Sequence, residues 1–338
     1  MILYIGNKSR DGINPTTIDA LANKLGEYCD IVTCSNKKNI MFRMIDMLYS
    51  IFKHRNSIDF VLIDTYSTSN FYYAFFCSQL CRILSLRYIN ILHGGSLPAR
   101  IKKSKFMSSL IFKNAYKLVS PSLYLQNEFK KKGYNAIFLP NYIDVNEYNY
   151  RFRCKSKKKL IYVRAISRTY NPIMLARAVK ILISSYPEIH VDLVGPNKLD
   201  GEYEEIIKYI DDNSLQKNFT LHGFLTKEEW KKLAAECDIF INTTNVDNMP
   251  LTVIEAMALG LPIISTNVGG IPYMINDYTN GLLVEPNDHN MLADKISELF
   301  EDEVLYRKIS KNVEVEIIKY DWNNIAHRWA AILNFEVK

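Results

Sequence analysis

Short apolar runs alternate with stretches of helical periodicity throughout the first 150 residues. Runs typical of buried strands lie at 3–5, 31–32, 60–63, 88–92, 117–119 and 136–139. The segment between the first two runs carries its apolar residues at helical spacing over about residues 16–25. Strands that alternate with helices in this way form parallel sheets covered by helices on both faces. We therefore predict a Rossmann-like α/β domain over residues 1–150.

A second series of the same kind follows a segment at 146–159 that is rich in Tyr, Arg and Lys and has the character of a linker. Its apolar runs lie at 160–163, 190–194, 219–221 and 238–242, with helical stretches between them. We predict a second Rossmann-like domain over residues 151–320. No Gly-x-Gly-x-x-Gly follows the first strand of either series, which argues against a dinucleotide-dependent dehydrogenase.

The stretch 247–266 combines a helix start with candidate chemistry. Asp247 and Asn248 are side chains suited to cap a helix, and Pro250 fits the first helical turn. Gly260 is placed to end the helix, and Pro262 precedes an apolar strand. The pattern predicts a loop, a helix, a turn and a buried strand, in that order.

Free N–H groups and the positive end of the helix dipole make such a helix start favourable for phosphate. Glu255 lies about one turn inside, where a carboxylate would repel phosphate but accept hydrogen bonds from neighbouring hydroxyls such as those of a ribose. Asp247 could accept hydrogen bonds from a second polyol. The alternative is that Asp247 and Asn248 only cap the helix while Glu255 lies on its solvated face, and capping chemistry alone favours this alternative.

The same stretch resembles the acidic motif of retaining glycosyltransferases of family 4, which have the GT-B fold of two Rossmann-like domains facing each other across a cleft. That motif is an acidic residue, seven further residues, and then Glu-Ala-Met-Ala-x-Gly-x-Pro. Glu255 matches the acid that binds the nucleotide ribose in the family. Asp247 matches the acid that contacts the donor sugar, where Glu is more usual. The resemblance implies that the backbone at the helix start holds the donor diphosphate, with Asn248, Met249, Pro250, Leu251 and Thr252 as candidates.

Further segments extend the resemblance over nearly the whole chain. His93 follows a strand at the place of a family histidine near the donor sugar, where it could donate a hydrogen bond to a hydroxyl or a phosphate. Gly12 lies in a loop that the family places over the donor phosphates, and Phe224 and Leu225 lie where the family holds the nucleotide base. The last helix, about 321–338, would cross back onto the first domain.

The diphosphate site departs from the family pattern at one position. Arg164 matches a family Arg that grips the diphosphate, and a guanidinium can do so through paired hydrogen bonds. The family Lys six residues later falls on Tyr170, which supplies no charge. We propose that Arg168 replaces it. No Asp-x-Asp sequence suited to bind a metal is present, and the resemblance implies a reaction without metal or other cofactor.

Composition narrows the class of protein and its partners. Hydrophobic residues make up 48% of the 338 residues and charged residues 23%, as in globular proteins. The six cysteines form no Cys-x-x-Cys pair, which favours reduced thiols in a cytoplasmic protein. No signal peptide is recognisable, and the longest apolar run, 71–80, is too short to span a bilayer.

Charge is unevenly distributed. Residues 1–150 contain 19 Lys/Arg against 10 Asp/Glu, a net charge of +9, whereas the remaining residues carry −3. The basic surface could hold the protein to anionic lipid at the inner face of the cytoplasmic membrane, while no groove-reading motif indicates nucleic acid. Apolar stripes interleaved with the basic residues, such as Met41, Ile45 and Phe52, are usually core.

The sequence thus predicts a retaining, metal-independent glycosyltransferase. It would move a sugar from a nucleotide-diphosphate donor, UDP-sugar in preference to GDP-sugar, to a hydroxyl of a growing, lipid-linked cell-surface glycan such as capsule, O-antigen (lipopolysaccharide) or exopolysaccharide. Arg164, Asp247 and His93 are the candidate catalytic residues. Two alternatives are a nucleotide-sugar epimerase of the same fold and a non-catalytic nucleotide-sugar-binding subunit.

Overall fold

The computed structural model describes residues 1–9 and 16–337 and divides the chain into two compact units. Unit 1 contains Met1–Pro140 and the C-terminal segment from Asn323, and unit 2 contains Asn141–Trp322. The division falls ten residues before the predicted boundary at residue 150. Residues 141–150 belong to unit 2 because side chains in this segment bond to it: Asn141 donates to the Met249 carbonyl, and Tyr148 donates to the Glu255 carboxylate.

Unit 1 is built on a six-stranded parallel sheet in the order β2-β1-β3-β4-β5-β6. Its strands, in chain order, are β1 Ile2–Ile5, β2 Ile31–Cys34, β3 Phe60–Thr65, β4 Tyr88–Leu92, β5 Lys117–Ser120 and β6 Ile137–Phe138. Its helices are α1 Thr17–Leu25, α2 Ile40–His54, α3 Asn70–Ile83, α4 Leu97–Lys103, α5 Lys105–Phe112 and α6 Leu123–Lys130. Every residue of β1, β3 and β4 is buried, as expected for inner strands of a parallel sheet.

Unit 2 repeats this plan with a second six-stranded parallel sheet in the order β12-β11-β10-β7-β8-β9. Its strands are β7 Lys159–Val163, β8 His190–Val194, β9 Phe219–Gly223, β10 Ile239–Asn242, β11 Ile263–Thr266 and β12 Leu282–Val284. Its helices are α7 Pro172–Leu182, α8 Glu202–Asp212, α9 Lys227–Ala235, α10 Leu251–Ala258, α11 His289–Glu301 and α12 Glu303–Ile317. The last helix, α13 Trp322–Leu333, lies almost wholly in unit 1.

All strands of a parallel sheet end at the same edge, so the loops that follow them gather there. In unit 2 this edge brings together Arg164 after β7, Gly195 after β8 and Gly223 at the end of β9. The Arg164 N–H donates to the Val194 carbonyl at 3.0 Å, and the Gly195 N–H donates to the Gly223 carbonyl at 2.7 Å. A Cβ at Gly195 would lie 1.9 Å from the Arg164 carbonyl oxygen, so this contact requires glycine.

No helix within the described residues is both long enough and apolar enough to cross a bilayer.

Candidate functional site

Helix α10 begins at Leu251, and Pro250, with extended backbone, is its N-cap residue. The prediction that Asp247 and Asn248 cap this helix is therefore wrong, because both residues lie before the N-cap residue. The Asp247 carboxylate instead accepts from the Asn248 N–H at 2.9 Å and forms an ion pair with Arg164. The helix ends as predicted: Gly260 has φ +72°, and the N–H of Leu261 donates to the Ala256 carbonyl.

Two glycines shape the loop that precedes this helix. A Cβ at Gly269 would lie 1.9 Å from the Asp247 carbonyl oxygen, and one at Gly270 would lie 1.6 Å from the Asn248 carbonyl oxygen. The Gly270 N–H donates to the Asp247 carbonyl at 3.2 Å. The loop after β11 is thus packed directly onto the backbone of 247–248, which fixes Asp247 at the carboxyl edge of the sheet.

Arg164 is the charged centre of this edge. Its side chain is 14% exposed, as is that of Asp247, and its guanidinium carbon lies 4.6 Å from the centre of the Tyr170 ring. Burial lowers the pKa of Arg164 from its usual value, while Tyr170 and Glu255 act in the opposite direction. Tyr170, which replaces the family Lys, thus contacts the face of the arginine instead of supplying a second cation.

Apart from Arg164 Nη2 and Asp247 Oδ2, which face each other in the ion pair, two buried polar atoms beside the start of α10 have no hydrogen-bond partner among the described residues: Arg164 Nε and Thr252 Oγ1. Buried donors are normally satisfied, and an orphaned one points to a missing ligand or water. Both atoms could donate to anionic oxygen, and the N–H groups at the start of α10 would add to such a site. The residues present therefore fit a bound diphosphate.

Glu255 lies on α10 and is bonded to a residue that sequence reasoning assigned to a linker. The Tyr148 hydroxyl donates to Glu255 Oε1 at 2.8 Å. Burial raises the pKa of Glu255, with the Tyr148 hydrogen bond and the charges of Lys227 and Lys231 opposing the shift. Burial and the Glu255 charge also raise the pKa of Tyr148, which keeps this hydroxyl a donor. One carboxylate oxygen is thus held in place, and Glu255 is not on a solvated face.

The remaining candidates in unit 2 lie at or near the same edge. Arg168 is exposed, and its Nη2 lies 3.3 Å from where a Cβ at Gly201 would be, at the start of α8. Phe224 follows β9 and is 48% exposed, whereas Leu225 packs against the core. Asn248 and Met249 are buried, and Leu251 is 38% exposed at the first helical position. The donor-binding roles of these residues stay predictions. Gly12 lies outside the described residues.

In unit 1, His93 follows β4 and contacts a buried acid that the sequence analysis did not select. His93 Nε2 lies 2.8 Å from Asp64 Oδ1 on the neighbouring strand β3. The Tyr4 hydroxyl also donates to this oxygen, at 2.9 Å, and the Tyr66 ring stacks on His93 with centres 4.7 Å apart. The side chain of Asp64 is 1% exposed. A signal existed in the sequence, since Asp64 is a charged residue within an apolar strand.

This pairing changes the predicted chemistry of His93. A carboxylate accepts only, so Asp64 favours the imidazole form with hydrogen on Nε2. Nδ1 of a neutral ring then carries a lone pair and accepts a hydrogen bond from a hydroxyl. Donation by His93 to a hydroxyl or a phosphate, as predicted from the sequence, would require hydrogen on Nδ1 as well, because Asp64 already contacts Nε2.

Under the role predicted for His93, we expect Asp64→Asn to lower the predicted sugar transfer by at least about tenfold, because an Asn amide can donate to Nε2 and so move the ring hydrogen to Nδ1. Tyr4→Phe, which removes a different hydrogen bond to the same oxygen, is the matched control and should retain most activity. Transfer rates and thermal midpoints of both variants check this. If the Asp64→Asn variant keeps both the thermal midpoint and the transfer rate of wild type, the assigned tautomer is ruled out.

Among the described residues, no group of three or more His, Cys, Asp or Glu side chains is arranged to hold a metal ion.

Two parallel α/β units, each with its loops gathered at the carboxyl edge of a six-stranded sheet, define a protein of the GT-B class. The structure superposes on that of the Anabaena protein HepE in complex with UDP-glucose with a TM-score of 0.79 at 16% identity, covering 98% of this chain and 99% of HepE. Residues 151–315 match the model of the family described as glycosyl transferases group 1. This part of the chain, which lies within unit 2, belongs to this family of glycosyltransferases.

Curated relatives align over parts of their length. An uncharacterized glycosyltransferase of Methanocaldococcus jannaschii is 28% identical over 250 residues, which cover 71% of this chain and 66% of the relative. The poly(glycerol-phosphate) alpha-glucosyltransferase of Bacillus subtilis is 26% identical over 179 residues, covering 53% of this chain and 26% of the relative. The matched part of this chain thus spans less than two thirds of either relative.

Proposed function

We propose that this protein transfers a sugar from a nucleotide-diphosphate donor to a hydroxyl of a growing, lipid-linked cell-surface glycan, with retention of configuration and without a metal. The observation that carries the proposal is the pair of unpartnered buried donors, Arg164 Nε and Thr252 Oγ1, beside the helix start that follows the Asp247 loop. They fit the oxygens of a diphosphate that leaves with its charge stabilised by the guanidinium.

Each side chain has an assigned task. Arg164, with the backbone at 249–252, stabilises the departing diphosphate. Asp247 orients hydroxyls of the donor sugar, and Glu255 accepts from the ribose through the oxygen that Tyr148 does not occupy. Arg168 supplies the second cation near the diphosphate, and His93, held by Asp64, accepts a hydrogen bond from a substrate hydroxyl.

The donor class and the stereochemistry draw on the relatives. HepE was crystallised with UDP-glucose, which supports a UDP-sugar ahead of a GDP-sugar. The Bacillus subtilis relative is named as an alpha-glucosyltransferase that acts on poly(glycerol-phosphate). Since UDP-glucose is itself an α-glycoside, an α-linked product corresponds to net retention. The name of that relative supports a polymer acceptor. The lipid linkage of the acceptor and its assembly at the cytoplasmic face of the membrane are part of our proposal.

The proposal is tested by transfer into lipid. Purified protein is incubated with labelled UDP-sugars or GDP-sugars and a lipid extract of the producing cells, with chelator present, and the label in the organic phase is measured. We expect one UDP-sugar to label the lipid, with chelator causing no loss, and NMR of the product to show the anomeric configuration of the donor. Inverted product, or transfer that requires added metal, would contradict the mechanism.

A further inference from the structure

Helix α2 in unit 1 exposes a row of large apolar side chains. Met47 and Ile51 are buried toward the sheet, but the opposite side of the helix exposes more than half of each of its apolar residues. The exposed side chains and their exposed fractions are Met41 61%, Phe42 66%, Ile45 57%, Tyr49 60% and Phe52 51%. Their spacing of three or four residues places them in one stripe.

The neighbouring helices α3 and α5 extend the exposed apolar surface of α2. Right-handed crossovers from β2 to β3, β3 to β4 and β4 to β5 put α2, α3 and α5 on one face of the sheet, and α3 packs against both α2 and α5. The outward stripe of α3 exposes Tyr72, Phe76 and Ile83, and α5 exposes Phe106 at 75%. We call the exposed apolar side chains of these three helices the outer apolar surface.

The charged residues around this surface are almost all Lys and Arg. Helices α2 to α5 contain seven Lys/Arg and one acid, Asp46, which accepts from the Cys34 thiol. Lys102, Lys103 and Lys105 flank Phe106, and all three are exposed. At the end of α2, the Arg55 guanidinium lies over the Phe52 ring at 4.3 Å. Large apolar side chains bordered by Lys and Arg are the pattern by which helices lie in a membrane interface.

We propose that the outer apolar surface inserts into an anionic lipid bilayer, with α2 lying in the plane of the headgroups and the Lys/Arg side chains contacting lipid phosphate. Charge complementarity decides this occupant. A second copy of the chain seated on this surface would bring two sets of cations together, whereas anionic lipid neutralises them. The inference extends the proposed function to its membrane partner and concerns unit 1 alone.

The test measures binding of the full chain to vesicles without any donor, so a failure here leaves the donor reaction untouched. Wild type should sediment with vesicles of phosphatidylcholine and phosphatidylglycerol and bind phosphatidylcholine alone far more weakly. Phe42→Ser/Ile45→Ser should lower the partition coefficient by about tenfold or more. The triple variant Lys102→Gln/Lys103→Gln/Lys105→Gln should lower the partition coefficient by a similar factor, but only on the anionic vesicles.

The matched control is Val304→Ser/Val315→Ser on α12 of unit 2, where both valines are also largely exposed, at 80% and 65%. It should bind as wild type does. High salt should weaken but not abolish wild-type binding, because salt screens the cations and leaves the apolar contacts in place.

Two results would overturn the proposal. One is that the Phe42→Ser/Ile45→Ser variant binds vesicles as tightly as wild type does. The other is absence of vesicle binding by wild type together with a dimer, seen by light scattering, that this variant dissociates. The second result would make the outer apolar surface a contact between copies of the chain.

Discussion

Arg164→Ala is expected to lower the rate of donor cleavage by about a thousandfold, because the role we propose for this buried guanidinium is to stabilise the leaving diphosphate. Arg164→Lys should recover only part of this loss, since an ammonium keeps the charge but lacks the paired N–H geometry. The rate of nucleoside diphosphate release at saturating donor measures both effects.

The alanine variant also leaves Asp247 without its ion-pair partner. Both side chains are only 14% exposed, so a lone carboxylate at this place should cost about 3 kcal/mol of stability. Arg164→Ala/Asp247→Ala removes the unpaired charge and should regain much of that stability without regaining turnover. Thermal midpoints of the two variants separate misfolding from lost chemistry.

Arg177→Ala provides the matched control for the loss of an arginine. Arg177 on α7 forms an ion pair with Glu205 at 3.7 Å and is 44% exposed, so its removal should leave donor cleavage unchanged. The rate of donor cleavage by Arg168→Ala should lie between those of Arg164→Ala and Arg177→Ala. We expect a loss of about tenfold, because Arg168 is an exposed second cation. If the Arg164→Ala protein folds and releases nucleoside diphosphate at the wild-type rate, the role given to Arg164 is refuted.

Glu255→Ala is expected to weaken binding of the nucleoside diphosphate by about a hundredfold. A carboxylate that accepts from ribose hydroxyls contributes about 1.5–3 kcal/mol per charged hydrogen bond. Tyr148→Phe keeps the carboxylate and removes only the group that holds Oε1, so it should weaken binding by about threefold. Titration calorimetry with UDP and with GDP measures these differences and also shows which base is preferred.

The same residue makes stability depend on pH. Burial raises the pKa of Glu255 above its ordinary 4.5, so the folded protein holds this proton more tightly than the unfolded chain. As pH rises above 4.5, ionisation of Glu255 therefore costs stability, and the cost is complete once pH exceeds the raised pKa. Glu255→Gln cannot ionise and should be more stable than wild type at neutral pH while binding nucleotide more weakly. Equal urea midpoints of the two proteins from about pH 5 to about pH 8 would contradict the burial argument.

Much of the local architecture follows from local signals. Gly260 and Pro262 predict the end of α10 and the start of β11 because only glycine readily takes φ near +72° and proline cannot continue a helix. Alternating apolar runs likewise predict strands β1 to β10, which the structure and its relatives of the same fold confirm.

The contacts that define the site depend on residues far apart in sequence. Glu255 and Tyr148 are separated by 107 residues and His93 and Asp64 by 29. No periodicity within a segment indicates such pairs, because they arise from which strands and loops become neighbours. The ring of Tyr170 against Arg164 is a similar case, since the sequence shows only that a cation is missing at residue 170.

Helix α2 shows a further limit of sequence patterns. Helical spacing indicates that Met41, Ile45 and Phe52 share a face, but the same spacing fits a buried face and an exposed one. The usual interpretation as core is wrong for these three side chains, because Met47 and Ile51 on the opposite side fill the space against the sheet.

The most direct test of the central claim is release of nucleoside diphosphate from a panel of nucleotide sugars by the purified protein, compared between wild type and Glu255→Ala. The account predicts slow hydrolysis of one donor by wild type, and its loss in the variant at donor concentrations that saturate wild type. Absence of release from every donor, with nucleotide binding unaffected by the substitution, would contradict the donor site and favour a non-catalytic binding subunit.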